Sequence, residues 1–284
     1  MTARLLVGDA AGVLTGAGVP SPVADAESLL AHVLDLPRSA LAGVDTVPTG
    51  VLRRFEDLVQ LRASRVPLQH LTGRAGFRYL DLAVGPGVFI PRPESELLAG
   101  WAVESLAGRA APQVADLGTG AGGLALSIAH EVPGCEVYAV ELDPHALAWA
   151  RRNAEERVAA GDRGIQLVEG DAGDPQVLAG CDGQLDAVLT NPPYVPDDAV
   201  VDREVAEHDP PLALWGGPDG LSVVRRFLAR AATLLRPGGL LGVEHADLQG
   251  ETMPAVVAAH GAFAEIQDHR DLAGRPRFTT AVRR

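Results

Sequence analysis

Apolar residues recur at helical spacing through the first 70 residues. Two segments carry such a stripe, made of Leu29, Leu30, Val33 and Leu34 in one and of Leu52, Phe55, Leu58 and Val59 in the other. Residues three or four apart share one face of a helix. The pattern predicts a small helical N-terminal domain over residues 1–70.

The pattern changes after residue 70. The stretch "FRYLDLAVGPGVFIPRP" alternates between apolar and polar positions and is broken by Gly85, Pro86 and Gly87. Such alternation around turn residues is typical of a β-hairpin. We therefore expect a hairpin linker over residues 71–92, followed by a helix that starts near Pro93.

From about residue 112, strand and helix patterns alternate. Short apolar strands are predicted at "QVADLG", "EVYAVEL", "IQLVEGD", "LDAVLTN" and "LLGVEH", with helical segments between them and two further strands, "FAEIQDH" and "FTTAVRR", at the end. The alternation predicts an α/β domain over residues 93–284, built on a parallel, doubly wound sheet with helices on both faces. In such sheets ligands bind beyond the carboxyl ends of the strands.

Charge and composition narrow the range of partners. The chain has 284 residues, 47% of them hydrophobic, and a net charge of −13. An acidic surface disfavours sequence-independent binding to a phosphate backbone. Arg53, Arg54, Arg62 and Arg65 are expected to form a solvated face or to contact a protein partner.

Other features point to an ordinary intracellular environment. Cys135 and Cys181 are too few for a disulfide framework, so we expect two reduced thiols. The histidines show no metal-ligand spacing, which predicts no metal. The N-terminus is a poor signal peptide, and no run approaches the roughly 20 apolar residues of a membrane span. The protein is expected to be soluble and cytoplasmic.

A glycine-rich segment, "VADLGTGAGGLAL", joins a strand to the next helix. Its glycines allow a tight turn and close approach of a ligand to the backbone. The spacing of Gly118, Gly120 and Gly123 matches the dinucleotide fingerprint, which binds a pyrophosphate at the helix N-terminus. Asp116 favours S-adenosylmethionine instead, because a carboxylate suits its ammonium group better than a pyrophosphate.

Acidic residues close the next two strands as well. Glu141 can accept hydrogen bonds from a ribose diol in either kind of cofactor. Asp171 can accept one from an adenine amino group. Three acids at successive strand ends fit a ligand that carries an ammonium, a ribose and an exocyclic amine. S-adenosylmethionine is therefore the predicted cofactor.

The segment "NPPY" follows the fourth predicted strand and is expected to face the methyl group of that cofactor. A planar NH2 group is a poor nucleophile because its lone pair is delocalised. Asn191 can accept one of its N–H bonds and the Pro192 carbonyl the other, while Pro192 and Pro193 offer no competing donors. Tyr194 can lie on the flat substrate group. Catalysis would then be mainly proximity and orientation, on either an amide or an adenine.

The chain resembles the S-adenosylmethionine-dependent N5-glutamine methyltransferases that modify class I peptide-chain release factors. The resemblance covers essentially the whole chain. It rests on "RVPLQHLTG", "GVFIPRPESE", "DLGTGAGGLALSIA", "NPPYVP", "EHDPPLALWGGPDGL", "RPGGLLGVEH" and "DLAGRPRFTTAVRR". Adenine-N6 methyltransferases acting on RNA or DNA share "NPPY" and are the alternative, whereas "FIPRPESE" and "ALWGGPDG" are the more specific signals.

The resemblance implies methyl transfer to the glutamine of a Gly-Gly-Gln motif, a reaction of translation termination. It implies a Rossmann-like class I methyltransferase domain and a helical N-terminal domain that recognises the substrate. The implied cofactor-binding residues are Asp116, Gly118, Thr119, Gly120, Ala121, Gly122, Glu141, Asp171, Ala172 and Asn191. The implied substrate-binding residues are Phe89, Asn191, Pro192, Pro193 and Tyr194, of which the last four are catalytic. We expect a monomer with release factors as partners and no stable nucleic-acid binding.

Two positions depart from the family pattern. Many members carry a bulky residue after the third acid, where this chain has Ala172 and Gly173. Packing around an adenine is then looser or is supplied from elsewhere. Ala246 stands where many members have glycine, which puts the local turn in doubt if that turn requires a positive φ.

Overall fold

A computed structural model describes residues 2–284. The helices are α1 Ala3–Gly16, α2 Pro22–Leu34, α3 Thr49–Ala63, α4 Leu68–Thr72, α5 Ser95–Leu106, α6 Gly123–Glu131, α7 Pro144–Ala159, α8 Arg203–His208, α9 Pro211–Leu214, α10 Ser222–Leu234 and α11 Thr252–Ala259. The strands are β1 Arg74–Phe77, β2 Leu80–Ala83, β3 Gln113–Leu117, β4 Glu136–Glu141, β5 Gln166–Glu169, β6 Leu185–Thr190, β7 Leu235–Glu244, β8 Phe263–Arg270 and β9 Pro276–Arg283.

The described residues form two compact units. The smaller contains the chain up to Arg74, together with Val84–Pro86 and Val201–His208. The larger contains Ala75–Ala83, Gly87–Val200 and Asp209–Arg284. Both units are discontinuous in sequence because short segments of the middle of the chain belong to the helical unit.

The larger unit is built on a sheet whose described strands follow the order β5-β4-β3-β6-β7-β9-β8. Strands β3 to β7 pair in parallel, which confirms the predicted doubly wound α/β sheet. Strand β9 departs from the parallel arrangement and pairs antiparallel with both β7 and β8. Residues 271–275 join β8 to β9, a connection too short for a parallel crossover.

Apolar side chains cover both faces of this sheet. Leu98 and Ala102 of α5 and Ile128 of α6 are buried in one cluster. Val224 and Leu228 of α10 are buried in the other. The chain winds outward from β3 to β5 and then returns to β6 on the other side of β3. This reversal opens a crevice at the carboxyl ends of β3 and β6.

The smaller unit has its own apolar core and one buried arginine. Arg62 is 4% exposed, and its guanidinium donates to Asp25 at 2.7 Å and to Glu204 of α8 at 2.9 Å. The predicted solvated face was therefore wrong at Arg62. Arg62 follows Phe55 and Val59 at helical spacing, so it lies on the buried stripe of α3. Its ion pairs hold α8 in this unit.

Residues 2–284 include no helix long and apolar enough to cross a membrane. They also include no group of three or more His, Cys, Asp or Glu side chains arranged to hold a metal ion.

Asn153 on α7 joins the hairpin to the glycine-rich loop. Its side chain is 1% exposed. It accepts a hydrogen bond from the Ala83 N–H at 2.7 Å and donates to the carbonyls of Ala83 at 3.0 Å and Ala121 at 2.9 Å. All three backbone groups depend on this one amide.

Asn153→Ala should lower the free energy of unfolding by about 2–4 kcal/mol, because buried backbone groups lose their partners. Arg152→Ala is the matched control, since Arg152 is on the same helix with its side chain 56% exposed in an i,i+4 ion pair. It should change stability by less than about 0.5 kcal/mol. Urea unfolding of both variants measures the difference, and equal midpoints would contradict the assignment.

Candidate active site

A cavity of about 470 Å³ opens at the carboxyl ends of the parallel strands, within the larger unit. Of the predicted site residues, its walls include Phe89, Asp116, Gly118, Thr119, Gly120, Ala121, Glu141, Asp171, Ala172, Asn191 and Pro193. The predicted residues Gly122, Pro192 and Tyr194 adjoin wall residues in sequence but do not line the cavity. The volume suits a ligand of cofactor size.

The glycine-rich loop is fixed to the neighbouring strand. The N–H groups of Gly118 and Thr119 both donate to the Val140 carbonyl at 2.9 Å. The Gly120 N–H donates to Glu141 Oε2 at 2.8 Å. Gly118 and Gly120 have φ of 79° and 57°, a region that side chains disfavour. The loop therefore exposes backbone to the cavity without intruding side chains at these two positions.

Asp116, the second-last residue of β3, is buried and has one unused carboxylate oxygen. Oδ2 accepts hydrogen bonds from Thr119 Oγ1 at 2.6 Å and from the Ala125 N–H at 3.2 Å. Oδ1 is buried and has no hydrogen-bond partner among the described residues. Burial raises the pKa of Asp116 to about 7, in spite of these two donors. A cationic ligand group in the cavity would supply the missing partner.

The Glu141 carboxylate accepts hydrogen bonds from backbone N–H groups of the loops around it. Oε1 accepts from the N–H groups of Leu142 and Asp143, both at 2.9 Å, while Oε2 accepts from Gly120. Burial raises the pKa of Glu141, and these three backbone donors oppose that rise. Each carboxylate oxygen has two lone pairs, so a ligand hydroxyl can still be accommodated.

Asp171 is paired with an arginine that the sequence had not suggested. Its Oδ1 accepts the Gly173 N–H at 2.8 Å, and Oδ2 forms an ion pair with Arg226 of α10. Partial burial tends to raise its pKa, but Gly173 and Arg226 outweigh that effect and hold the pKa below its ordinary value. A Cβ at Gly173 would lie 2.9 Å from the Arg226 Cβ. The small residue at 173 thus makes room for Arg226, which lines the cavity.

The NPPY loop lies beside the glycine-rich loop because their strands are neighbours. Thr190 Oγ1, immediately before the loop, donates to the Leu117 carbonyl at 2.6 Å. Asn191 Nδ2 donates to Ser95 Oγ at 3.0 Å. Burial raises the pKa of Tyr194 above its ordinary value. The stacking of its ring on substrate stays a prediction.

The segment Trp215–Leu221 packs on the NPPY backbone. Val195 donates to the Leu214 carbonyl at 2.9 Å, and Gly216 donates back to the Val195 carbonyl at 2.8 Å. A Cβ at Gly216 would lie 2.6 Å from the Pro193 carbonyl oxygen, and one at Gly220 would collide with the Tyr194 carbonyl. These glycines therefore permit a contact that fixes the loop.

Comparison with known proteins agrees with this geometry. Residues 6–73 match the PrmC N-terminal domain family, and residues 95–208 match the methyltransferase small domain family. The chain is 46% identical over 273 residues to the release factor glutamine methyltransferase of Streptomyces coelicolor, covering 94% of this chain and 93% of that one. It is 46% identical over 280 residues to the one from Mycolicibacterium smegmatis, covering 99% and 97%.

The chain belongs to the release factor glutamine methyltransferase family. This confirms the resemblance drawn from the sequence motifs.

A solved structure supports the fold of the larger unit. The Thermus thermophilus 16S rRNA N2 G1207 methyltransferase, in complex with AdoMet and guanosine, superposes with a TM-score of 0.54 at 24% identity. The match covers 74% of this chain and 50% of that one. The Rossmann-like methyltransferase fold is confirmed.

Several wall residues of this methyltransferase were missed by sequence reasoning. Ser95, Trp215 and Arg226 line the cavity. Ser95 and Trp215 lie inside the motifs "FIPRPESE" and "ALWGGPDG", which are specific signals of the family, although neither of these two residues was assigned a role. No motif marks the helix that carries Arg226. The one signal in the sequence is the small residue Gly173, which leaves room for the Arg226 side chain.

The doubt about Ala246 is removed by its backbone. Ala246 has φ −64° and ψ 152°, an ordinary extended conformation. No glycine is required there.

Gly216→Ala should destabilise this methyltransferase by about 1–3 kcal/mol, because the added methyl group overlaps backbone on two sides. Gly180→Ala is the control: Gly180 has nothing within 4 Å of its Cβ position, and its effect should stay within about 0.5 kcal/mol. Thermal and urea unfolding report both. A wild-type midpoint for Gly216→Ala would show that the two loops are not tightly packed.

Proposed function

We propose that this chain transfers a methyl group from S-adenosylmethionine to the side-chain amide nitrogen of the glutamine in the Gly-Gly-Gln motif of class I release factors. One observation carries the proposal. A buried carboxylate with an unused oxygen, Asp116, and an asparagine amide, Asn191, line the same cavity. The names of the relatives supply the substrate.

The cavity fits the cofactor on chemical grounds. The unused Asp116 Oδ1 suits an ammonium group, and the glycine-rich loop gives backbone access beside it. Glu141 is assigned to the ribose and the Asp171–Arg226 pair to the adenine end, with Ala172 beside it. When bound, S-adenosylmethionine supplies an electrophilic methyl group on a sulfonium.

Residues of the NPPY loop hold the amide that is to be methylated. Asn191 Oδ1 accepts one N–H of the substrate amide, and the carbonyl of Pro192, which lies between the wall residues Asn191 and Pro193, accepts the other. The face of the nitrogen that carries the lone pair is thereby turned toward the methyl donor. Pro192 and Pro193 have no N–H to compete. Such positioning needs no strong base, because the nitrogen becomes strongly acidic once it is methylated and loses its extra proton readily to water. Orientation supplies most of the rate enhancement.

Phe89 forms another part of the substrate wall. The Arg92 guanidinium lies 4.7 Å from the centre of its ring, and Arg92 pairs with Asp209 at 2.6 Å. A cation over an aromatic face stabilises the ring's position. We assign Phe89 to the apolar flank of the glutamine side chain.

The helical N-terminal domain, residues 1–70, is assigned to recognition of the release factor, and the hairpin of residues 71–92 to the link with the catalytic domain, residues 93–284. The chain is taken to act as a cytoplasmic monomer. The net charge of −13 agrees with a protein substrate and not with stable binding to nucleic acid.

Radiolabelled methyl transfer tests the proposal directly. Purified chain, labelled S-adenosylmethionine and a class I release factor should give labelled release factor. Changing the Gly-Gly-Gln glutamine to alanine should abolish the label. Asn191→Ala should lower the rate by about 100-fold or more while cofactor affinity is little changed, because the lost contact is to the substrate.

Label in RNA or DNA instead of protein would replace this function by adenine-N6 methylation. Undiminished label on the glutamine-to-alanine release factor would reject the assigned target. Asn191 is also implied in cofactor binding, so a loss of cofactor affinity in Asn191→Ala, in step with rate, would make the cofactor and not the substrate its main ligand.

Cofactor binding should weaken on acidification from pH 7 to pH 5.5. The pKa of Asp116 is raised to about 7 in the free protein, so its carboxylate is increasingly protonated below that value. A bound ammonium favours the ionised form and lowers the pKa, which makes binding release a proton. The Kd should therefore rise by up to about tenfold per pH unit.

Calorimetry over this pH range measures the effect. Asp116→Asn should bind more weakly and lose most of the pH dependence, whereas Glu141→Gln should retain it. A wild-type Kd that stays constant from pH 7 to pH 5.5 would exclude an ionised partner at Asp116.

A further inference from the structure

A buried carboxylate lies behind the NPPY loop, and nothing in the proposed chemistry uses it. Glu244 is the last residue of β7 and is 3% exposed. Its Oε2 has no hydrogen-bond partner within residues 2–284. Burial raises its pKa to about 7, while hydrogen bonding by Ser95 and Asn191 lowers it. An acid in so costly a position invites a functional explanation.

Ser95 connects this acid to Asn191. Ser95 begins α5, is 4% exposed and lines the cavity together with Asn191. Ser95 hydrogen-bonds Glu244. When ionised, that carboxylate can only accept hydrogen bonds, so the Ser95 hydroxyl then points its hydrogen at Glu244. The Ser95 oxygen is then left as an acceptor for Asn191 Nδ2, at 3.0 Å. This order leaves Asn191 Oδ1 as the end of the amide that is free to accept from a ligand.

We propose that Glu244 is a positioning residue that, by accepting hydrogen bonds from Ser95 and directly from Asn191, fixes which way round the Asn191 amide lies. Without the carboxylate, the Ser95 hydrogen can turn toward Asn191. The amide can then rotate by 180° and present its NH2 to the substrate. Two NH2 groups facing each other cannot hydrogen bond, so the substrate amide is no longer gripped. The inference rests on the proposed function for the identity of that amide only.

The composition of the chain offers a direct probe. Asn153 and Asn191 are its two asparagines. Labelling with ¹⁵N-asparagine therefore gives two side-chain NH2 pairs in the NMR spectrum of the full chain. Asn153, held by Ala83 and Ala121, is the internal reference. This measurement needs neither cofactor nor substrate.

In the wild type, the Asn191 NH2 signals should shift with pH around a midpoint near 7, while the Asn153 signals stay in place. The charged or titratable groups that act on Glu244 are Glu94, Arg277 and, across the loop, Tyr194. Glu94→Gln should keep the Asn191 titration, and Glu244→Gln should abolish it. The second variant should also move the Asn191 signals at pH 8.

Kinetics supply the second readout. Glu244→Gln should lower kcat for release factor methylation by about 10- to 100-fold, with KM and cofactor Kd little changed. Its urea midpoint should equal or exceed that of the wild type, because a destabilised buried charge has been removed. Ser95→Ala, which interrupts the same connection, should reproduce the kcat loss even if Glu244→Gln folds poorly.

Two outcomes overturn the inference. One is a Glu244→Gln protein with wild-type kcat and wild-type Asn191 signals. The other is a kcat loss that merely follows a fall in the urea midpoint in both variants. If Asn191 titrates with Glu244 but the wild type methylates no release factor, the proposed function fails while the coupling between Glu244 and Asn191 stands.

Discussion

The parallel pairing of β3 with β6 is the constraint on which the site depends. Val114 pairs with Ala187 and Asp116 with Leu189, so both strands end at the same edge of the sheet. The glycine-rich loop leaves one strand and the NPPY loop leaves the other. The Thr190 hydroxyl closes the junction by donating to the Leu117 carbonyl. This single register brings together the two loops to which the proposed function assigns the cofactor and the substrate.

Two acids near that junction are buried, and burying them costs free energy of folding. Burial raises the pKa of both Asp116 and Glu244 to about 7, and each retains an oxygen without a partner. A fold selected for stability alone would replace such groups by apolar ones. Asp116 faces the cavity, where a cationic group would satisfy it. Glu244 faces inward, toward Ser95 and Asn191. On the proposed assignments, Asp116 acts on the cofactor and Glu244 acts on the residue that holds the substrate.

Backbone packing explains why two distant motifs occur together. Gly216 and Gly220 lie against the carbonyls of Pro193 and Tyr194, where a Cβ does not fit. The Gln249 side-chain amide also donates to the Tyr194 carbonyl at 3.1 Å. Pro192 and Pro193 have no backbone N–H, so the loop cannot donate hydrogen bonds at those positions. Neighbouring segments instead fix the loop by packing against its carbonyls and donating to them. Rigidity of the NPPY loop is therefore a property of several segments.

Sequence alone determined the fold class, the helical N-terminal segment and the family, because these follow from local periodicity, glycine spacing and motifs. The roles of the glycine-rich loop and the NPPY loop stay predictions from residue type. The tertiary structure decided what depends on packing between distant segments. It buried Arg62 against Asp25 and Glu204, placed Arg226 over Gly173 and brought Glu244 to Ser95 and Asn191. No local pattern encodes these contacts, since each joins residues tens to more than a hundred positions apart. They exist only after the sheet has set its strand order.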